Sequence, residues 1–170
     1  MLDKKVTQLL NEQINKELFS GYLYLEMANY YADLNLNGYE NWFFVQAQEE
    51  RDHALLIRQY LLNNGEQVVL AAIDGPGMRY DDPRGPLVKS YEHEQLVTAS
   101  INNIYTAALA INDFRTLEFL NWFIKEQGEE EKNADENIRK YDLFGKDPKG
   151  LYLLDSEMKA RVYAPPSLVL

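Results

Sequence analysis

The sequence predicts an all-α protein, a four-helix bundle with one long crossover connection and a short fifth C-terminal helix. Three observations carry this expectation. Apolar residues recur at helical spacing through four long stretches. Glycine and proline cluster between the second and third of these. The turns within each pair of long helices are short, which makes the paired helices antiparallel. At 170 residues the chain has the size of one domain, spanning 1–170, and can bury a core without disulfides or a structural metal.

Taken in order, Asp3 is a plausible N-cap for a first helix that runs to about Leu34, and Asn35-Leu36-Asn37-Gly38 ends it. Asn37 then opens the second helix. Glu40 stands three residues later in the manner of a capping box, and Asn64-Gly65 closes the helix after Asn63. The stretch holding Gly75, Pro76, Gly77, Pro83, Gly85 and Pro86 cannot be helix interior and reads as a long connection. Pro86 suits the first turn of a third helix reaching about Asn112. A fourth helix runs from Asp113 or Thr116 to Leu143, with Gly145 past its end. Asp147-Pro148 has the chemistry of a fifth helix start, over roughly Pro148 to Ala160, and Pro165-Pro166 stops further order. A second helix of about 25 residues is about 38 Å long. About 18 to 20 extended residues can run back along it, so the third helix starts at the end where the second starts.

Composition narrows the function classes. Twenty-seven acids against 17 bases give a net charge of −10, which disfavours nucleic acid and anionic membranes and favours cations, though it also serves simply to keep a protein soluble. The longest apolar run, Val68 to Ile73, is too short to span a bilayer. The start Met1-Leu2-Asp3-Lys4-Lys5 lacks the apolar core of a secretory signal, so a cytoplasmic location is expected. With no cysteine, a metal site must use carboxylate, imidazole or amide groups, a set suited to iron and harder ions.

The strongest signal is a set of polar residues on core-facing stripes. Glu17 shares its stripe with Leu10, Ile14, Gly21 and Tyr24, and Glu50 with Phe43, Ala47, Ala54, Ile57 and Leu61. Glu94 lies in line with Leu87, Tyr91, Val97 and Ile101, and Gln127 with Leu120, Phe123, Ile124 and Ala134. A buried carboxylate neutralises, finds a cation or binds a metal. Each acid taken singly also fits a rim position, but the set on matching stripes shifts the balance towards a metal site. His53 and Glu130 stand three residues after Glu50 and Gln127, which lets each pair face one space. The sum is one Glu, Glu-x-x-His, one Glu and Gln-x-x-Glu on four successive helices, an oxygen-rich cage with one imidazole, similar to a di-iron carboxylate arrangement that lacks its second His.

Over most of its length the chain resembles the bacterial non-haem ferritins. The resemblance is carried by Glu17 with Tyr24, Gln48-Glu49-Glu50-Arg51-Asp52-His53, Tyr91-Glu92-His93-Glu94, Asn121-Trp122-Phe123, Glu126-Gln127 and Glu129-Glu130-Glu131-Lys132. It implies that Glu17, Glu50 and His53 bind one iron, with Glu50 bridging to a second held by Glu94 and Glu130, and Gln127 beside the pair as a hydrogen-bonding neighbour. It also implies a third iron at Glu49, Glu126, Glu129 and Glu130. Tyr24 is either a site tyrosine able to donate an electron or a core tyrosine bonded to a carboxylate. Gln127-x-x-Glu130 separates the chain from bacterioferritins and rubrerythrins, and Asp52 stands where bacterioferritins place a haem-ligating Met, so no haem is expected.

The activity implied is oxidation of Fe(II) by O2 or peroxide, with ferric mineral stored in a hollow homo-oligomeric shell of about 24 subunits. The fifth helix resembles the one lining the family's four-fold contacts. His93, about 100° round the helix from Glu94, is expected at the surface or a subunit contact. Two other readings stand beside this one: a storage or interaction bundle without a competent oxidation centre, and a di-iron oxygenase or peroxide scavenger on the same bundle.

Overall fold

The computed structural model describes residues 2–170, and its helices are α1 (Lys4–Asp33), α2 (Asn37–Asn63), α3 (Arg84–Ala110), α4 (Phe114–Phe144) and α5 (Pro148–Met158). No strand occurs among the described residues. Antiparallel α1–α2 and α3–α4 hairpins form the bundle, and α5 caps one end against α2 and α4.

The helix ends follow local chemistry. Asp3 accepts the amides of Lys5 and Val6, Asp113 that of Thr116, and Asp147 that of Gly150. Three ends close through a residue at positive φ: Asn35 at 57°, Gly65 at 73° and Asn112 at 57°. In each case the next residue's amide reaches back to the helix, as Leu36 does to the Tyr31 carbonyl at 3.0 Å. The expected Asn37–Glu40 capping box does not form. Asn37 is already helical, and the Leu36 side chain offers no cap. The missing acceptor comes from α5, where Asp155 Oδ1 takes the amides of Gly38 at 2.8 Å and Tyr39 at 3.1 Å. Gly38 is required there, since a Cβ would lie 1.6 Å from the Asp155 carbonyl oxygen. Two other boundaries shift. The third helix starts at Arg84, which leaves Pro86 still inside its first turn, and the fifth ends at Met158 rather than Ala160.

Residues 64–83 form the long crossover, laid parallel to α1 and tied to it along its length. Asn11 donates to the Gln67 carbonyl and accepts the Val69 amide at 2.7 Å, Asn15 donates to the Ala72 carbonyl, Glu26 accepts the Met78 amide at 3.1 Å, and the Tyr31 hydroxyl donates to the Pro83 carbonyl at 2.6 Å. The connection therefore carries the chain back to the end where α2 begins, and α3 runs antiparallel to α1. No helix among the described residues is long and apolar enough to cross a membrane.

The core falls into two apolar clusters. One joins Val6, Leu10 and Ile14 to Ile57, Leu61, Ile101, Ile104, Leu120 and Phe123. The other joins Leu23, Tyr24, Met27 and Tyr31 to Tyr39, Phe43, Leu87, Tyr141 and Leu154. On every long helix the break between clusters falls at the acids. Ile124, placed by spacing on the Gln127 stripe, is exposed at the edge of α4.

Candidate metal centre

The polar layer between the clusters holds Glu17, Glu50, His53, Glu94, Gln127 and Glu130, each no more than 6% exposed. Single atoms of Glu17, Glu50 and His53 lie within 4.8 Å of one another, as do those of His53, Glu126 and Glu130. His53 belongs to both groups and links the buried cage to the α2–α4 face.

Hydrogen bonds fix these carboxylates in place. Gln13 Nε2 donates to Glu17 Oε1 at 2.9 Å and Gln46 Nε2 to Glu50 Oε1 at 3.0 Å. Glu50 Oε2 faces His53 Nδ1 at 3.3 Å. Gln127 Nε2 donates to Glu94 Oε2 at 3.1 Å, and the Tyr24 hydroxyl donates to Glu94 Oε1. Glu17 Oε2 has no hydrogen-bond partner. A buried carboxylate oxygen left bare beside two other ligating groups is a poor resting arrangement for a protein but a good one for a cation.

The protonation pattern points the same way. Burial, then the Glu50 charge, pushes Glu17 up to about 8. The same two causes push Glu130 up to about 7 and hold Glu94 well above the usual carboxyl value, with Glu130 adding to the effect on Glu94. For Glu50 burial acts upward too, but the His53 charge and hydrogen bond outweigh it and lower the value. Burial disfavours charged His53, yet Glu50 beside it raises the imidazole to about 10. The site thus holds one internal ion pair and several carboxyls that keep their protons, and a cation would displace those protons.

Placement of the other expected site residues is uneven. Glu126 joins His53 and Glu130, whereas Glu129 is exposed and outside both groups. Glu49 is paired with Arg161 from the segment after α5. Tyr24 is fully buried and bonded to Glu94, a contact both readings of this tyrosine share. His93 lies only partly at the surface. It is half-buried, its Nε2 lies 2.7 Å from Ser20 Oγ, and its ring packs edge-on to Tyr24 at 5.9 Å. Spacing from Glu94 on one helix could not reveal a contact made by α1.

Two orienting residues were not singled out from sequence, Gln13 and Gln46. Each stands four residues before a cage acid, Glu17 and Glu50, and each is buried. That repeated Gln-x-x-x-Glu spacing on two helices was the available signal.

A bundle with one long crossover and a buried carboxylate–imidazole layer defines a class of helical metal-binding proteins. A family model described as a ferritin-like domain matches residues 7–144, and the chain belongs to this family. A bacterial non-heme ferritin of Campylobacter jejuni is 38% identical over 159 residues, covering 94% of this chain and 95% of the relative. A bacterial non-heme ferritin of Staphylococcus epidermidis is 34% identical over 163 residues, covering 96% and 98%. Among solved structures, a closed form of the Archaeoglobus fulgidus ferritin made by site-directed mutagenesis superposes with a TM-score of 0.94 at 38% identity, covering 96% of this chain and 100% of that one.

Proposed function

We propose that the protein stores iron and acts as a ferroxidase, oxidising Fe(II) with O2 or peroxide at the buried layer and depositing ferric mineral inside a homo-oligomeric shell of about 24 copies. The observation that carries this is the Glu17–Glu50–His53 group, buried between two apolar clusters, with one Glu17 oxygen left unbonded. Family membership supports iron storage and oxidation in general, and the donor set supports iron in particular.

In this reading Fe(II) is the substrate. Glu17, Glu50 and His53 take one ion, and Glu94 and Glu130 take a second, with Glu50 between them. Carboxylates stabilise Fe(III) over Fe(II) through their charge, which favours electron loss to the oxidant. Gln13 and Gln46 hold two of the carboxylates in register, and Gln127 and Tyr24 do the same for Glu94. His53 and the carboxyls that keep their protons release them as iron binds. Glu49, Glu126, Glu129 and Glu130 offer a further position on the route out of the cage.

Adding Fe(II) under air and following ferric absorbance tests the reading. Glu50→Ala removes the bridging carboxylate and is expected to slow the initial rate by at least about 100-fold, a loss of about 2.7 kcal/mol of barrier lowering. Equal rates for the two proteins would eliminate an oxidation centre at this layer.

A further inference from the structure

After α5 the chain turns back across the α2–α4 face as a strap over residues 159–170, anchored at the start of α2 and beside the outer acids of the cage. The Arg161 guanidinium pairs with Glu49 and stacks over the Trp42 ring, with its central carbon 4.2 Å from the ring centroid. Asn41 Nδ2 donates to the Arg161 carbonyl at 2.9 Å. Further along, the Tyr163 hydroxyl donates to Asp52 at 2.6 Å and Trp122 Nε1 donates to Ser167 Oγ at 2.9 Å. Between these anchors lies a cavity of about 220 Å³ walled by Glu49, His53, Trp122 and Glu126 on the bundle side and by Ala164–Ser167 on the strap side. Liquid water takes about 30 Å³ per molecule, so the space has room for a hydrated cation.

The Arg161–Glu49 pair is largely withdrawn from solvent, with side chains 14% and 19% exposed. Burial pushes Glu49, Glu126 and Glu130 upward, and the Arg161 charge is among the forces pulling each of them back down. The one guanidinium is therefore felt by three of the four acids assigned to the outer iron position.

We propose that Arg161 is a tethered cation occupying the charge position of the outer iron at Glu49 and Glu126, so that a metal ion settles there only by displacing the guanidinium from Glu49. The inference rests on the cage reading above and adds a residue outside the cage that sets when its neighbouring position is open. Arg161 touches no inner-cage residue, and of the acids that feel its charge only Glu130 is shared with the inner pair, so its main effect falls on the outer ion. Its fork and its stacking on Trp42 suit a long-lived occupant better than a lysine would. Competition between a fixed positive charge and a mobile one makes outer-site affinity the quantity that Arg161 controls.

The test is a titration of the assembled, metal-free protein with Zn(II), which needs no oxidant, followed by calorimetry and by tryptophan fluorescence. Trp42 and Trp122 are the only tryptophans in the chain, and both touch the strap. The wild type is expected to fill two tight positions and then a weaker third, with fluorescence changing at the third. Arg161→Ala and the near-isosteric Arg161→Gln are expected to leave the first two unchanged and to tighten the third about tenfold, equivalent to about 1.4 kcal/mol. Arg161→Lys keeps the charge and is expected to stay nearer to the wild type. Unchanged third-position affinity in both neutral variants, with the first two filling normally, would overturn the proposal. If the wild type fills no tight positions at all, the cage reading fails, and the strap proposal with it.

Discussion

At the residue scale, the protein's chemistry depends on acids held where water cannot reach them. Glu17 and Glu130 titrate near 8 and 7 in the fold against a usual value of 4.5, and His53 near 10 against 6.5. All three shifts are upward, so the metal-free fold retains protons that the unfolded chain has released. The stability these groups contribute is fully present below about pH 4.5 for the two acids and below about 6.5 for His53. It is lost as pH rises through about 7, 8 and 10 in turn. The folded metal-free protein is therefore expected to lose stability from pH 5 to pH 9, read by denaturant midpoints. Zn(II) affinity should rise over the same range, because fewer protons must leave. Parallel slopes in the two measurements would contradict the assignment of these groups to the metal site. The acids themselves were legible from sequence, because a Glu on an apolar stripe is conspicuous. The half-buried position of His93 was not, since Ser20 and Tyr24 come from a helix some 70 residues away in the chain.

At the element scale, Gly128 and Asp155 are single residues whose effect on a helix can be measured. Gly128 interrupts α4 beside Gln127, but a Cβ there would meet no atom within 4 Å and the position is exposed. Gly128→Ala is expected to stabilise the isolated subunit fold by about 1 kcal/mol, seen as a higher midpoint in chemical denaturation. A lower midpoint would mean that this face of α4 is covered in the assembled protein. Asp155→Ala removes the acceptor for two amides at the start of α2 and is expected to cost about 1 kcal/mol. If Asp155 acts as this cap, hydrogen exchange at Gly38 and Tyr39 should accelerate in the variant, while amides deep in α3 keep their protection. Helix existence followed from periodicity, and the N-caps Asp3 and Asp147 followed from Asp in place. The start of α2 did not, because its cap is donated by a segment more than 110 residues later.

At the scale of the whole molecule, the crossover and the strap decide how the bundle is closed. The crossover fixes α3 antiparallel to α1 and brings Glu94 opposite Glu17 and Glu50. The strap covers the α2–α4 face and leaves a small cavity against His53. Sizing of the native protein at working concentration is expected to give one species of about 24 subunits, the closed assembly that mineral storage needs. Elution as a monomer or dimer would remove the storage reading while leaving the oxidation centre open to its own test.

The sequence by itself determined the helices, their pairing, the single crossover and the identity of the buried acids. Each of these is a matter of spacing along one helix or of loop length against helix length, and both can be counted in the chain. Tertiary structure alone decided which acids share a space, and therefore that Glu126 joins His53 while Glu129 faces outward. It also decided that Glu49 meets Arg161, that Gln13 and Gln46 orient the cage carboxylates, and that Asp155 caps α2. The physical reason is the range of the forces. Helical propensity and amphipathic burial act over a few residues, whereas a carboxylate's partner is set by distances of about 3 Å between atoms that the chain brings together only on folding.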